Sequence, residues 1–177
     1  MKAIDLGSPG LREALRSLRA GDRVSLTGPV YTARDAAHKR LFELLDAGSE
    51  LPIPIRDRII YYAGPTPAPP GRPIGSCGPT TSSRMDPFTP RLLELGLAGM
   101  IGKGERSREV NDAIRRCGAV YFCALGGAGA LISRHVVSAR EVAFPDLGCE
   151  SIKEIILSGL PLTVGTDSLG NTVFKEN

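Results

Sequence analysis

Apolar residues recur at helical period near the start of the chain. Leu11, Ala14, Leu15 and Leu18 follow Ser8 and Pro9 at three- and four-residue intervals, and Gly21 closes the segment. A serine cap, a proline where its missing N–H costs nothing and a glycine after the last turn together predict an amphipathic helix. DRVSLTG (22–28) then alternates apolar and polar positions like a half-buried strand, and VYTARD (30–35) predicts a second. DAAHKRLFELLDAG (35–48) returns to helical period. Asp35 stands near its start, Ala37, Leu41, Leu44 and Leu45 share one face, and Gly48 lies past its end.

RIIYYAG (58–64) has the continuous apolar run of a buried strand, and PTPAPPGRP (65–73) is a stiff proline-rich connection rather than a flexible linker. After a polar loop, Thr89-Pro90 opens a short helix that ends at Gly96. A strand (97–102), a helix (107–118), a strand (119–125) and a glycine-rich turn into a helix (129–136) follow. Such alternation predicts an α/β fold with part of its sheet parallel. The last third reads differently: 140–146 and 161–174 predict strands, the latter a hairpin around Asp167-Ser168-Leu169-Gly170, with KEIILSG (153–159) between them. No internal repeat is present, and 177 residues at 42% hydrophobic content suit one core, so residues 1–177 are expected to form a single domain.

Charge changes this picture little. The 22 basic and 19 acidic side chains leave a formal +3 with no Lys/Arg-rich block, which argues against nucleic acid as a partner. The N-terminal stretch carries charges throughout and lacks the apolar core of a signal peptide, and no run approaches the ~18 apolar residues of a membrane span. A cytoplasmic protein is expected. Cys77, Cys117, Cys123 and Cys149 form no CxxC pair and have only His38 and His135 to join them, so no metal site made by this chain alone is expected. Each is expected to be a free thiol, with Cys117 and Cys123 as small core residues.

Several motifs fail on inspection. GMIGKGERS is not a Walker loop, because Leu97 stands where the first glycine belongs and Gly104 follows Lys103. GGAGALIS lacks the third small residue of a dinucleotide fingerprint and suits tight packing instead. There is no nucleophile elbow. What remains is a coincidence of position. In open α/β sheets ligands gather beyond the carboxyl ends of strands, and three such junctions carry a cation: Arg34, Arg84 and Lys103. Arg84 lies inside GSCGPTTSSRMD (75–86), a loop with free backbone donors and the hydroxyls of Thr80, Thr81, Ser82 and Ser83. Arginine forks beside such donors suit a carboxylate, and the cations could lower the cost of a threonine alkoxide. With no metal and no strong base, this is half of a site.

TARDAAH (32–38), GPTTSSRMD (78–86), GMIGKG (99–104), the GGAGALI stretch and AFPDLG (143–148) occur in this order and together resemble the beta subunit, or C-terminal domain, of the iron–sulfur class I hydro-lyases. These are the class I fumarases and L-tartrate dehydratases, and the resemblance covers nearly the whole chain. It implies a swivelling β/β/α domain with a mixed sheet and flanking helices. It also implies a catalytic 4Fe-4S cluster held by a separate alpha subunit, in a heterotetramer of two alpha and two beta chains. The implied reaction is the reversible hydration of fumarate to L-malate, a step of the tricarboxylic acid cycle, or the dehydration of tartrate. Carried over by motif, Thr80 is the catalytic base, Arg34, Arg84 and Lys103 are the substrate-carboxylate ligands, and His38, Gly78, Thr81 and Asp86 are supporting residues, Asp86 as an orienter of Arg84. Cys77 is not expected to bind iron. Alternatives are a tartrate dehydratase beta subunit, or a non-catalytic dicarboxylate-binding or assembly domain; a homodimer of the lone chain is a further expectation. The chain departs from the family after AFPDLG, where CESIKEIILSGLPLTVGTDSLGN lacks the common aromatic residue of a C-terminal helix and is less acidic.

Overall fold

Strands β1 (Lys2–Asp5), β2 (Arg23–Thr32), β3 (Ile59–Tyr61), β4 (Gly99–Gly102) and β5 (Val120–Cys123) lie side by side, each parallel to its neighbour, in the computed structural model, which describes residues 1–174. Between and after them come α1 (Leu11–Arg16), α2 (Asp35–Asp46), α3 (Thr89–Glu94), α4 (Arg108–Cys117) and α5 (Gly129–Ser133). The chain then turns antiparallel, with β6 (Val136–Ala143) followed by β7 (Ile152–Thr166). One edge of β7 pairs with β2, and the other pairs first with β6 and then with β5. Strands β2, β3, β4, β5 and β7 therefore close on themselves, with β1 and β6 as outer strands. The mixed sheet with flanking helices expected of a β/β/α fold is present.

Alternate side chains of the inner strands enter two separate cores. Ile59, Tyr61, Ile101, Val120 and Phe122 join Leu26, Val30, Ile155, Leu157 and Val164 in one cluster, which also takes Leu11, Leu15 and Leu18 from the segment of α1. Ile60, Tyr62, Met100 and Tyr121 face the opposite way, onto Ala37 and Leu41 of α2, Leu92 and Leu93 of α3 and Val110, Ala113 and Ile114 of α4. A strand buried on both faces has no polar alternation to show, which is why RIIYYAG reads as one apolar run. Helix α4 has the clearest boundaries: Ser107 accepts a hydrogen bond from the Val110 amide, and Gly118 ends the helix in the left-handed region at φ 65°.

Four readings need correction. The two strands expected at 22–28 and 30–35 are one, β2 (Arg23–Thr32), bent at Gly28, where the pairing register with β7 shifts and φ is 122°. β1 was not expected at all; it is a short edge strand with only Ile4 buried. KEIILSG and PLTVG are not separate elements, nor is there a C-terminal helix among the described residues: both belong to the 15-residue β7, preceded by a short 3₁₀ turn at Pro145–Glu150. Gly159, at φ 63°, and Pro161 look like punctuation in the sequence. In the fold they let buried positions run 155, 157 and then 160, 162, 164 without breaking the strand. The turn at 167–170 exists, fastened by Asp167, which accepts from the amides of Ala20, Leu169 and Asn171, but its return arm reaches β7 through a bridge at Thr172 rather than a strand to residue 174. Among the described residues no helix is long and apolar enough to cross a membrane.

Ile155 is fully buried on β7 where β2 and β6 both pair with it. Ile155→Ala is expected to cost about 2–5 kcal/mol of unfolding free energy, read from denaturant titration; a loss under about 1 kcal/mol would show that closure by β7 is not central to the core.

Candidate functional site

Because β2, β3 and β4 are parallel, their carboxyl ends open on one rim. Arg34 stands two residues beyond β2 and Lys103 one beyond β4. The intervening chain after β3 does not leave the rim. The proline-rich connection folds back on itself, with Thr66 and Ser76 exchanging backbone and side-chain bonds at its base, and residues 80–86 then cross the ends of β3 and β4. The Thr80 amide donates to the Tyr62 carbonyl at 2.7 Å, and Thr81 bridges to Lys103, whose carbonyl accepts from the Ser82 amide at 3.0 Å.

Two glycines make this crossing possible. A Cβ on Gly102 would lie 1.9 Å from Ser82 Oγ and 2.8 Å from the Tyr62 ring, so only glycine lets the loop settle on the end of β4. A Cβ on Gly64 would lie 3.0 Å from Arg34 Cδ, so the absence of a side chain there opens the path of Arg34 along the rim. The glycine-rich turn after β5 packs against the same loop: the Cys77 amide donates to Gly129, and a Cβ on Gly129 would lie 3.0 Å from the Gly78 nitrogen. The close approach is set by Gly129; a Cβ on Gly78 would lie 3.5 Å from Gly129, an ordinary contact.

The charged groups converge on Asp35. Arg84 sets Nε 3.1 Å from one Asp35 oxygen and donates from Nη2 to the other at 3.2 Å, and the same Nη2 donates to Thr80 Oγ1 at 2.5 Å. Arg34 Nε lies 3.6 Å from Asp35 and 3.4 Å from Glu150, contacts that are ionic but not aligned as hydrogen bonds. Thr80, Arg84 and Arg34 are therefore joined directly or through one carboxylate. Lys103 is joined to them by backbone; its ammonium lies against Gly126 and has no ion-pair partner among the described residues. Arg84 is 47% exposed and Asp35 42%, and the Thr81 side chain also faces outward. The rim is thus an open, net positive surface able to take an anion.

The remaining residues lie beneath this surface. His38 is fully buried, its Nδ1–H donating to the Arg34 carbonyl at 2.8 Å and its ring set against Tyr62 and Phe88. Burial pushes its pKa down to about 4, so it is a neutral prop for the start of α2. Asp86 does not orient Arg84. It accepts from Arg106 Nε at 2.8 Å and from the Ser107 amide at 2.9 Å, on the far side of the loop. Cys117 and Cys123 are only half-buried, whereas Cys77 is a core residue whose thiol burial pushes up to about 12. Among the described residues no three His, Cys, Asp or Glu side chains are grouped to hold a metal ion. Sequence reasoning missed Asp35, Glu150 and Arg106 as members of the site. Asp35, adjacent to Arg34, was legible only as a helix start, and Arg106 carries no local signal because its burial is created by packing.

A family model described as fumarase C-terminus matches residues 1–177. The chain is 41% identical over 178 residues to the anaerobic class I fumarate hydratase of Escherichia coli K12, covering 98% of this chain and 32% of that protein. It is 38% identical over 156 residues to the mitochondrial fumarate hydratase 1 of Leishmania major, covering 87% of this chain and 28% of that one. A protein of Methanocaldococcus jannaschii that carries the provisional name L(+)-tartrate dehydratase subunit beta is 35% identical over 175 residues, 93% of this chain and 88% of its own length. The chain thus spans about a third of the fumarate hydratases and most of the shorter protein.

The His38 environment has a pH consequence. Its folded pKa of about 4 lies below the ordinary 6.5, so between these values the unfolded chain binds a proton that the native state refuses. Stability is expected to fall as pH drops from about 6.5 to 4, by at most roughly 3 kcal/mol. His38→Gln should flatten that part of the profile in denaturant titrations; an unchanged slope would place the sensitivity elsewhere.

Proposed function

The chain belongs to the fumarase C-terminus family, and from that premise we propose that it is the beta subunit of a class I fumarate hydratase, hydrating fumarate reversibly to L-malate with an alpha subunit that carries a 4Fe-4S cluster. The observation that carries this reading is the 2.5 Å bond from Arg84 Nη2 to Thr80 Oγ1. A guanidinium donating to a threonine oxygen directs the hydroxyl's own proton away and favours negative charge on the oxygen, the condition under which a threonine can exchange a proton with carbon.

In the hydration direction Thr80 gives its proton to one alkene carbon while hydroxide from water adds to the other, and the proton left by that water restores the threonine. Dehydration is the reverse, with Thr80 as base. Arg84, Arg34 and Lys103 bind the substrate carboxylates, Arg84 and Arg34 held ready by Asp35. The placement of the cluster on the partner follows from the family resemblance, and the scattered thiols of this chain, which form no metal-holding group among the described residues, agree with it. When bound, it supplies a Lewis acid for the substrate hydroxyl and carboxylate. The open rim is the face that the partner completes, in the cytoplasm and in a heterotetramer of two chains of each kind. Residues 1–177 act as one domain of that assembly.

A second reading is that the same half-site serves tartrate, and it is favoured by the chain's match to most of the length of the archaeal subunit. The higher identity to the anaerobic fumarate hydratase of Escherichia coli, 41% against 35%, supports fumarate. Purified with its alpha-type partner, the chain is expected to hydrate fumarate, and to be inactive alone; activity of the lone chain, or of the complex on tartrate only, would overturn the assignment. In the complex Thr80→Ala should lower kcat about 100-fold or more with little change in KM, and Arg84→Ala should raise KM strongly. A Thr80→Ala enzyme within about threefold of wild type would remove Thr80 from the chemistry.

A further inference from the structure

We propose that Arg106 is a positioning residue for the site, a buried guanidinium that holds residues 80–86 at a fixed height over β3 and β4 without touching substrate. The inference deepens the hydratase reading and rests on it only for the kinetic part of its test. The Arg106 side chain is 0% exposed. Its Nε donates to Asp86 at 2.8 Å, and its Nη2 donates to Thr89 Oγ1 at 2.8 Å and to the Tyr62 hydroxyl at 3.2 Å. The guanidinium lies 5.2 Å from the centre of the Tyr62 ring and 5.0 Å from that of Tyr121. Tyr121 in turn donates to the Gly104 carbonyl at 2.7 Å and bonds Ser82 Oγ at 2.8 Å.

Beside the backbone bond from the Ser82 amide to the Lys103 carbonyl, three contacts of the loop lie over this cluster: the Thr80 amide on the Tyr62 carbonyl, Ser82 Oγ on the Tyr121 hydroxyl and Asp86 on Arg106. Arg106 is itself the third of these contacts and touches the two tyrosines behind the others. Arg84, bonded to the Thr80 hydroxyl, faces the rim from the same stretch. Energetics favour a geometric role over simple stabilisation. A buried ion pair repays its desolvation only when every contact is well made, and a packed apolar pair of similar volume is often as stable. What an apolar pair cannot do is grip a carboxylate, two hydroxyls and two ring faces from one rigid plane. Lysine would keep the charge but not the fork.

The test uses two variants, Arg106→Lys and the paired Arg106→Met with Asp86→Asn, which removes the ion pair without leaving a buried charge alone and serves if the lysine variant fails to fold. In the lone chain, hydrogen exchange at the Thr80 and Ser82 amides should rise about tenfold or more while the amides of β2 and β7 keep their protection. In the complex with the alpha subunit, kcat on fumarate should fall about 10- to 100-fold, because displacement of a reacting group by about an ångström costs that order. If the wild-type complex does not hydrate fumarate, the hydratase reading fails and the exchange measurement alone decides this proposal. Unchanged loop protection, protection lost equally across the sheet, or a loosened loop with kcat within threefold of wild type would each overturn it.

Discussion

The antiparallel pairing of β7 with both β2 and β5 is the constraint on which the rest of the molecule depends. Five parallel strands alone would form an open, twisted sheet with an unpaired edge at each side. β7 binds β2 along most of its length and then crosses to β5, so the sheet curls until β2 and β5 are held by one strand, with β1 left outside the closure. Curling separates the two faces into an inner and an outer core, and both must be apolar. It also draws the carboxyl ends of β2, β3 and β4 toward one another, which places Arg34 and Lys103 beside the loop that carries Thr80 and Arg84.

Contact between that loop and the strand ends is set by what is missing as much as by what is present. Gly102 and Gly64 open the space through which Ser82 and Arg34 pass, and Gly129 lets the turn after β5 lie against Gly78. Under the loop, polar groups are deeply buried and mostly partnered: the Arg106 guanidinium meets Asp86, Thr89 and two tyrosines through Nε and Nη2 while its Nη1 has no hydrogen-bond partner, and His38 stays neutral, bonding the Arg34 carbonyl through Nδ1 and leaving Nε2 without one. Above it, three cations meet only two acidic side chains, Asp35 and Glu150, and the excess positive charge is solvent-facing. A rigid floor under an under-neutralised roof leaves the excess positive charge of the rim fixed in place and open to solvent.

Much of the site was readable because its residues cluster in short segments. TARDAAH holds Arg34, Asp35 and His38 within seven positions, and GPTTSSRMD holds Thr80, Arg84 and Asp86 within nine. Their partnerships were not readable. Asp86 stands two residues from Arg84 yet binds Arg106, twenty residues on, while Arg84 binds Asp35, forty-nine residues back. Sequence adjacency suggested the wrong pair because a 3₁₀ turn at Ser82–Met85 points Arg84 out to the rim and Asp86 in toward α4.

Local physics determined the helices and the parallel strands β3, β4 and β5 from the sequence alone: caps, glycine stops, helical period and doubly buried apolar runs all act within a few residues of one another. The C-terminal third escaped that logic. Gly159 and Pro161 signal a break by local rules, yet β2 on one side and β5 and β6 on the other hold Ile152–Thr166 as a single strand. Cross-strand hydrogen bonds and burial against distant residues outweighed the local preference, and only the closed sheet contains those partners. The sequence thus determined which cations and hydroxyls share short segments, and the tertiary structure decided which carboxylate holds which arginine.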